Sequence, residues 1–176
     1  MNFPHKHSTL DRVKKFGRSF RRLPSVEISP ANKGVAGECE RILSTLPEWF
    51  GNKRYRAKFA AHAEVFPTLA AHAGPAMVGF ITVRRHFEHA FEIYCMAVHA
   101  DHRRQGFGFA LLESAEAMAR SEGGKVMQVK TISPRHPSQA YAETRSFYAS
   151  AGYVPLEEFP LLWSKSNPCL QLVKVL

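Results

Sequence analysis

The segment Phe91-Glu-Ile-Tyr-Cys-Met-Ala-Val98, followed by His-Ala-Asp-His and Arg103-Arg-Gln-Gly106-Phe-Gly108, limits the folds open to this chain more than any other stretch. Its first part is an apolar run of strand length. Its second part is short and basic and runs straight into residues 107–122. There Leu111, Leu112, Ala115, Met118 and Ala119 recur at helical spacing until Gly123-Gly124 stops the pattern. A strand that feeds through a tight loop into a long helix presents the first turn of that helix to whatever lies beyond the sheet. That turn carries unpaired N–H groups and the positive end of the helix dipole, so it is an anion site, for phosphate above all. Gly106 and Gly108 let a phosphate approach the backbone, and Arg103 and Arg104 add charge at the same point. A glycine pair alone would be weak evidence; strand, loop and helix in register are much stronger.

The rest of the chain supplies a sheet for this unit. Periodicity and turn residues predict strands over 25–29, 68–72, 77–85, 91–98, 126–132, 153–158 and 170–175. They predict helices over 35–44, 53–63, 107–122 and 138–150, with Leu46-Pro47 ending the first of these. Strands come first, then β-α-β-α-β, which reads as α/β (α+β): a mixed, mostly antiparallel central sheet with flanking helices. With 176 residues the chain suits one domain, taken as 25–176, preceded by an extension at 1–24. That extension holds Lys6, Arg12, Lys14, Lys15, Arg18, Arg21 and Arg22 against Asp11, so six of the nine formal positive charges lie there. Leu10, Val13, Phe16, Phe20 and Leu23 fall among them at helical spacing, although Gly17 interrupts the run. A loosely docked arm, a partner-binding helix and a targeting peptide all remain open.

The concentration of charge in one segment argues against a nucleic-acid partner for the domain itself. No stretch reaches the roughly 20 apolar residues of a membrane span. Cys39, Cys95 and Cys169 are odd in number and set among apolar residues, which reads as reduced thiols in a cytoplasmic protein. The nine histidines show no ligand spacing, so no metal is expected. A homodimer is compatible with the sequence.

Arg103-x-x-Gly106-x-Gly108 resembles the R/Q-x-x-G-x-G/A signature of the GNAT superfamily of N-acetyltransferases. The strand before it, the helix after it and the strand at 126–132 fall where that superfamily has them. So does Phe147-Tyr148-Ala-Ser-Ala-Gly152-Tyr153, which resembles its F-Y-x-x-x-G-F element. Three further segments, Leu46-Pro-Glu-Trp-Phe-Gly51, Pro155-Leu-Glu-Glu158 and Trp163 to Leu170, are similar to a poorly characterised bacterial subgroup for which the resemblance implies no particular acceptor. The resemblance implies acetyl-CoA as acyl donor, with its pyrophosphate on the N–H groups of Arg103, Arg104, Gln105, Gly106, Phe107 and Gly108. It also implies that the pantetheine arm pairs with the backbone of Met96, Ala97 and Val98, where the strand splays from its neighbour. Tyr148 stands where the superfamily has a tyrosine beside the cofactor sulfur. Tyr141 replaces an asparagine that often bonds the cofactor arm, and it shares a helix face with Tyr148.

Acyl transfer to an amine needs a neutral amine, a polarised thioester and a proton for the leaving thiolate. Tyr148 is the candidate acid and Glu92 the candidate base. Strand alternation puts Phe91, Ile93, Cys95 and Ala97 on one face and Glu92, Tyr94 and Met96 on the other. A carboxylate in an apolar strand either serves as a base or is structural, paired with a neighbouring cation or set at the exposed mouth of the sheet. Trp49, Phe50, Tyr55, Tyr94 and Trp163 are candidates for the wall of an acceptor pocket, with Glu157 or Glu158 pairing an amine cation. The acceptor is expected to be a primary amine, most simply of a small molecule. A protein or peptide amine, a non-catalytic acyl-CoA-binding module and a nucleic-acid-binding protein are the alternatives.

Overall fold

The computed structural model describes residues 26–176. The basic extension at 1–24, and Ser25 at the expected start of the first strand, lie outside the described residues. The order of elements is β1 Glu27–Pro30, α1 Ala36–Ser44, α2 Pro47–Phe50, α3 Lys53–Ala63, β2 Thr68–Ala73, β3 Ala76–Phe87 and β4 Ala90–Val98. A 3-10 turn at Ala100–His102 leads to α4 Phe107–Ser121, β5 Val126–Ile132, α5 Gln139–Ser150, β6 Val154–Ser164 and β7 Asn167–Val175. The strands form one sheet in the order β1-β2-β3-β4-β5-β7-β6. Every pairing is antiparallel except β4 with β5. The expected mixed, mostly antiparallel sheet with helices on it is therefore what the chain builds.

Two local expectations change. Pro47 both ends α1 and starts α2, because proline at the first helical positions lacks only an N–H that would be unpaired there. The C-terminal strands are longer than the expected 153–158 and 170–175 and meet in a tight hairpin at Ser164–Asn167, so Trp163 lies near a strand end. Pro155 and Pro160 are tolerated because β6 is the sheet edge, where a missing N–H faces solvent.

Each face of the sheet carries its own core. Helices α1 and α3 cover one side, where Cys39, Ile42, Leu43, Ala60, Phe80, Cys95 and Ala97 pack together. Helix α1 buries Cys39, Ile42 and Leu43 at the spacing of one helix face, and Glu64 at the end of α3 accepts from the N–H groups of Gly34 (2.9 Å) and Ala36 (2.7 Å). Those donors hold the Glu64 carboxyl below its usual range. The other side is covered by α4 and α5, over Phe91, Ile93, Leu111, Leu112, Met127 and Tyr148.

The two cores reveal where simple alternation fails. In the β3–β4 register Thr82 faces Cys95 and Val83 faces Ile93, so Tyr94 is an extra residue, a β-bulge. Phe91 and Ile93 therefore belong to the α4 side, whereas Cys95 and Ala97 belong to the α1 side. The single face expected for all four is corrected by this one inserted residue.

Helix α4 is tied to the last strand by a buried charge. Glu116, 3% exposed, accepts from Lys174 Nζ at 2.7 and 2.9 Å and from the Tyr153 hydroxyl at 3.2 Å, with Arg120 at 3.4 Å. Burial and this carboxylate push the Tyr153 hydroxyl up, so it remains a donor. Glu116→Gln preserves the shape and removes the charge that Lys174 and Arg120 answer. Urea unfolding should show a loss of about 1–3 kcal/mol, and a loss under about 0.5 kcal/mol would mean that the pairing does not stabilise α4.

Candidate active site

The parallel pairing of β4 and β5 is short. Ala90, Phe91, Glu92 and Ile93 pair with Val126, Met127, Gln128 and Val129, and the ladder stops there although both strands continue. From Tyr94 to Val98 the side of β4 that faces β5 has no strand partner, and the opening begins beside the bulge. Buried backbone donors and acceptors need partners, so such an opening suits an extended ligand that carries amides. On the facing strand the Thr131 hydroxyl is buried with no hydrogen-bond partner among the described residues.

The opening lies within a cleft of about 1180 Å³, lined by β4, β5, α2, α3, α5, the start of α4 and the β6–β7 hairpin. The cleft is lined by Glu92, Tyr94, Met96, Ala97, Val98, Arg103, Arg104, Gly106, Gly108, Tyr141, Tyr148, Trp49, Phe50, Tyr55 and Trp163, all of them candidates from the sequence. The side chains of Gln105 and Phe107 turn away: Gln105 donates to the Asp101 carbonyl at 3.0 Å, and Phe107 is 1% exposed in the core. Only their backbone can face a ligand. Neither Glu157 nor Glu158 lines the cleft. Glu158 instead accepts from Ser133 Oγ at 2.9 Å and pairs with Arg135 at 2.8 Å.

At one end, Gly106 caps α4 with φ +90°, and nothing lies within 4 Å of the position its Cβ would take. The left-handed backbone asks for glycine, and the open space beyond admits a ligand. Arg103 and Arg104 each reach Glu143 of α5 at 3.3 Å, and the Arg103 guanidinium lies 4.6 Å from the Trp49 ring centroid. The Trp49 indole donates to Thr144 Oγ1 at 2.9 Å, and the Tyr141 hydroxyl donates to the Trp49 carbonyl at 3.4 Å. Trp49 thus joins α2 to α5 and stacks with Arg103.

The middle of the cleft holds Tyr148. It is 5% exposed and its hydroxyl has no hydrogen-bond partner among the described residues. Burial pushes that hydroxyl up, so it keeps its proton at neutral pH. Beyond it stands Glu92, 7% exposed, and both of its oxygens are engaged. Lys130 Nζ lies 2.6 Å from Oε1 and His86 Nε2 lies 2.7 Å from Oε2. Of the two readings open for this carboxylate, the structure contains the ion pair, and the pair faces the cleft. Tyr94, Phe59 and Phe50 form a continuous aromatic wall nearby, with ring centroids 5.6 and 5.8 Å apart, and the Tyr94 hydroxyl lies 2.6 Å from His62 Nδ1. Leu162 and Trp163 of the hairpin line the same cleft.

Sequence reasoning missed Lys130, His86 and Glu143. Lys130 was open to discovery, since Gln128 and Lys130 alternate with Met127 and Val129 on a strand parallel to the one that bears Glu92. Glu143 gave no comparable signal. Among the described residues no group of three or more His, Cys, Asp or Glu side chains could hold a metal ion, and no helix is long and apolar enough to cross a membrane.

Comparison with known proteins agrees with this architecture. No curated protein sequence matches the chain. Among solved structures it is similar to a putative acetyltransferase of the GNAT family from Desulfovibrio desulfuricans, with a TM-score of 0.75 at 17% identity, covering 86% of this chain and 99% of that one. An aminoglycoside 6'-N-acetyltransferase complexed with coenzyme A gives a TM-score of 0.67 at 19% identity, over 85% and 96%. The ribosomal-protein-S18-alanine N-acetyltransferase from Escherichia coli gives 0.68 at 16% identity, over 85% and 93%. At such identities the likeness is one of fold. The model of the acetyltransferase (GNAT) family, however, matches residues 38–147, well over half the chain, and that span runs from α1 through the opened strand and the glycine-capped helix to α5. The chain belongs to the acetyltransferase (GNAT) family, whose members are acyl-CoA-dependent N-acetyltransferases.

Proposed function

We propose that the protein transfers the acetyl group of acetyl-CoA to the primary amine of a small molecule by direct attack. The observation that carries this reading is the end of the β4–β5 ladder at Ile93 and Val129, in line with the glycine-capped start of α4. The residues present fit the donor. Arg103, Arg104 and the first N–H groups of α4 would hold the pyrophosphate, and the unpaired backbone of Met96, Ala97 and Val98, with the Thr131 hydroxyl across from it, would hold the pantetheine amides. A relative of this fold is complexed with coenzyme A, which supports the assignment.

The donor supplies a thioester, whose carbonyl a backbone N–H near Ala97 or Val98 would polarise. Glu92 takes a proton from the acceptor ammonium, directly or through a water, and His86, 26% exposed, passes it toward solvent. The neutral nitrogen then bonds to the thioester carbon. As the carbon–sulfur bond breaks, Tyr148 gives its proton to the sulfur and recovers one from the new amide nitrogen. A small acceptor is favoured over a protein segment because the cleft carries an aromatic and apolar lining, Phe50, Phe59, Tyr94, Leu162 and Trp163, that suits a small molecule. The three cysteines are free and buried, which supports a cytoplasmic setting.

Two substitutions test this account. Calorimetry with acetyl-CoA should show binding by the parent protein and a Kd at least about tenfold higher for Gly106→Trp, whose indole would fill the space over the helix start. Absence of binding by the parent would remove the assignment. Tyr148→Phe should lower kcat by about 10- to 100-fold while the melting temperature stays unchanged, since the hydroxyl has no partner to lose. An unchanged kcat would take Tyr148 out of the reaction.

A further inference from the structure

Beyond the donor site, the cleft specifies the charge pattern of its acceptor. Its lining contains two carboxylates, Glu92 and Glu143, and each is already met by two basic side chains: Lys130 and His86 for the first, Arg103 and Arg104 for the second. Lys58 adds a further positive charge to the lining. A polycationic acceptor could place one ammonium at Glu92, as any amine acceptor would, but its further cations would find no carboxylate left in the lining without a cation of its own. They would also meet Lys58, and like charges brought together in a partly desolvated cleft repel.

What the cleft does present is a cation and an anion side by side. Lys130 Nζ and Glu92 Oε1 are 2.6 Å apart, on neighbouring strands, and both residues line the cleft. An α-amino acid carries the complementary arrangement, an ammonium and a carboxylate attached to the same carbon. Resting on the acetyltransferase reading above, we propose that the acceptor is an α-amino acid, or a close analogue, with an apolar side chain. Its ammonium lies at Glu92, its carboxylate at Lys130, and its side chain against the apolar lining that Tyr94, Phe59 and Trp163 supply. The ammonium gives one proton to Glu92, the nitrogen bonds to the thioester carbon, the carbon–sulfur bond breaks as the sulfur takes the proton of Tyr148, and Tyr148 recovers a proton from the new amide nitrogen. The products are an N-acetyl amino acid and coenzyme A. Acetylation removes the positive charge that Glu92 attracted and leaves the carboxylate, so the product is held on one side only, which favours its release.

The test compares L-leucine, L-methionine and L-phenylalanine with their amides and with their decarboxylated amines, and with spermidine, in a released-thiol assay on the full chain. The free amino acid should exceed its amide and its amine by at least about tenfold in kcat/KM, as expected where a buried charge is left without its partner. Lys130→Met should bring that ratio toward one, and Lys130→Arg should retain it. If the amines or spermidine are used as well as the amino acids, or if Lys130→Met lowers all rates by the same factor, Lys130 serves only to neutralise Glu92 and the inference is overturned. If acetyl-CoA binds and none of these amines is acetylated, the small-molecule reading of the preceding section falls with it. Turnover confined to amines without a carboxylate would overturn the amino-acid inference alone.

Discussion

The β-bulge at Tyr94 is the constraint on which the rest depends. A strand in regular register with both neighbours would be closed along its whole length, and its backbone would offer nothing to a ligand. Here one extra residue between Ile93 and Cys95 changes the strand's twist and sends its later side chains to the opposite core. The ladder to β5 stops at the same place. One inserted residue thus accounts for three features: a cleft in the middle of a sheet, an unpaired run of backbone beside it, and the seating of Cys95 and Ala97 against α1. The cost of leaving that backbone open is offset only when a ligand pairs with it.

Charge within the cleft is organised in the same economical way. Neither of its carboxylates stands alone. Glu143 holds Arg103 and Arg104 together over the start of α4, so two guanidinium groups are gathered where the helix dipole is already positive. A phosphate arriving there competes with a single carboxylate and gains backbone donors that Glu143 does not reach. Glu92 is buried at a depth where an isolated carboxylate would be costly, and Lys130 and His86 remove that cost. On the proposed reading, the same two partners would give it a route for a proton toward solvent and a neighbouring positive charge for the acceptor.

The parts of this design that depend on local physics were legible in the sequence. A left-handed helix cap with open space beside it asks for glycine, and Gly106 between Arg103 and Gly108 marks that start of α4 directly. The hairpin of β3 and β4 and the helix periodicity of α4 were equally plain. The bulge was not, because a period of two says nothing about an inserted residue whose neighbours are all apolar. The full length of β6 was not legible, since the tolerance of Pro155 and Pro160 depends on β6 being an edge, which is a property of the assembled sheet. The partners of Glu92 lie at positions 86 and 130, and only the sheet register brings them to it. Tertiary pairing, rather than propensity, decided each of these cases.

Titration of the isotope-labelled protein with acetyl-CoA, followed by amide chemical shifts, tests the central claim most directly. The account predicts that the largest shifts fall on the amides of Met96, Ala97 and Val98 and on those of Gly106, Phe107 and Gly108, two groups on different elements of one cleft that a single extended ligand would join. Shifts confined to other parts of the sheet, or to the β6–β7 hairpin alone, would show that the opening between β4 and β5 is not where the donor binds.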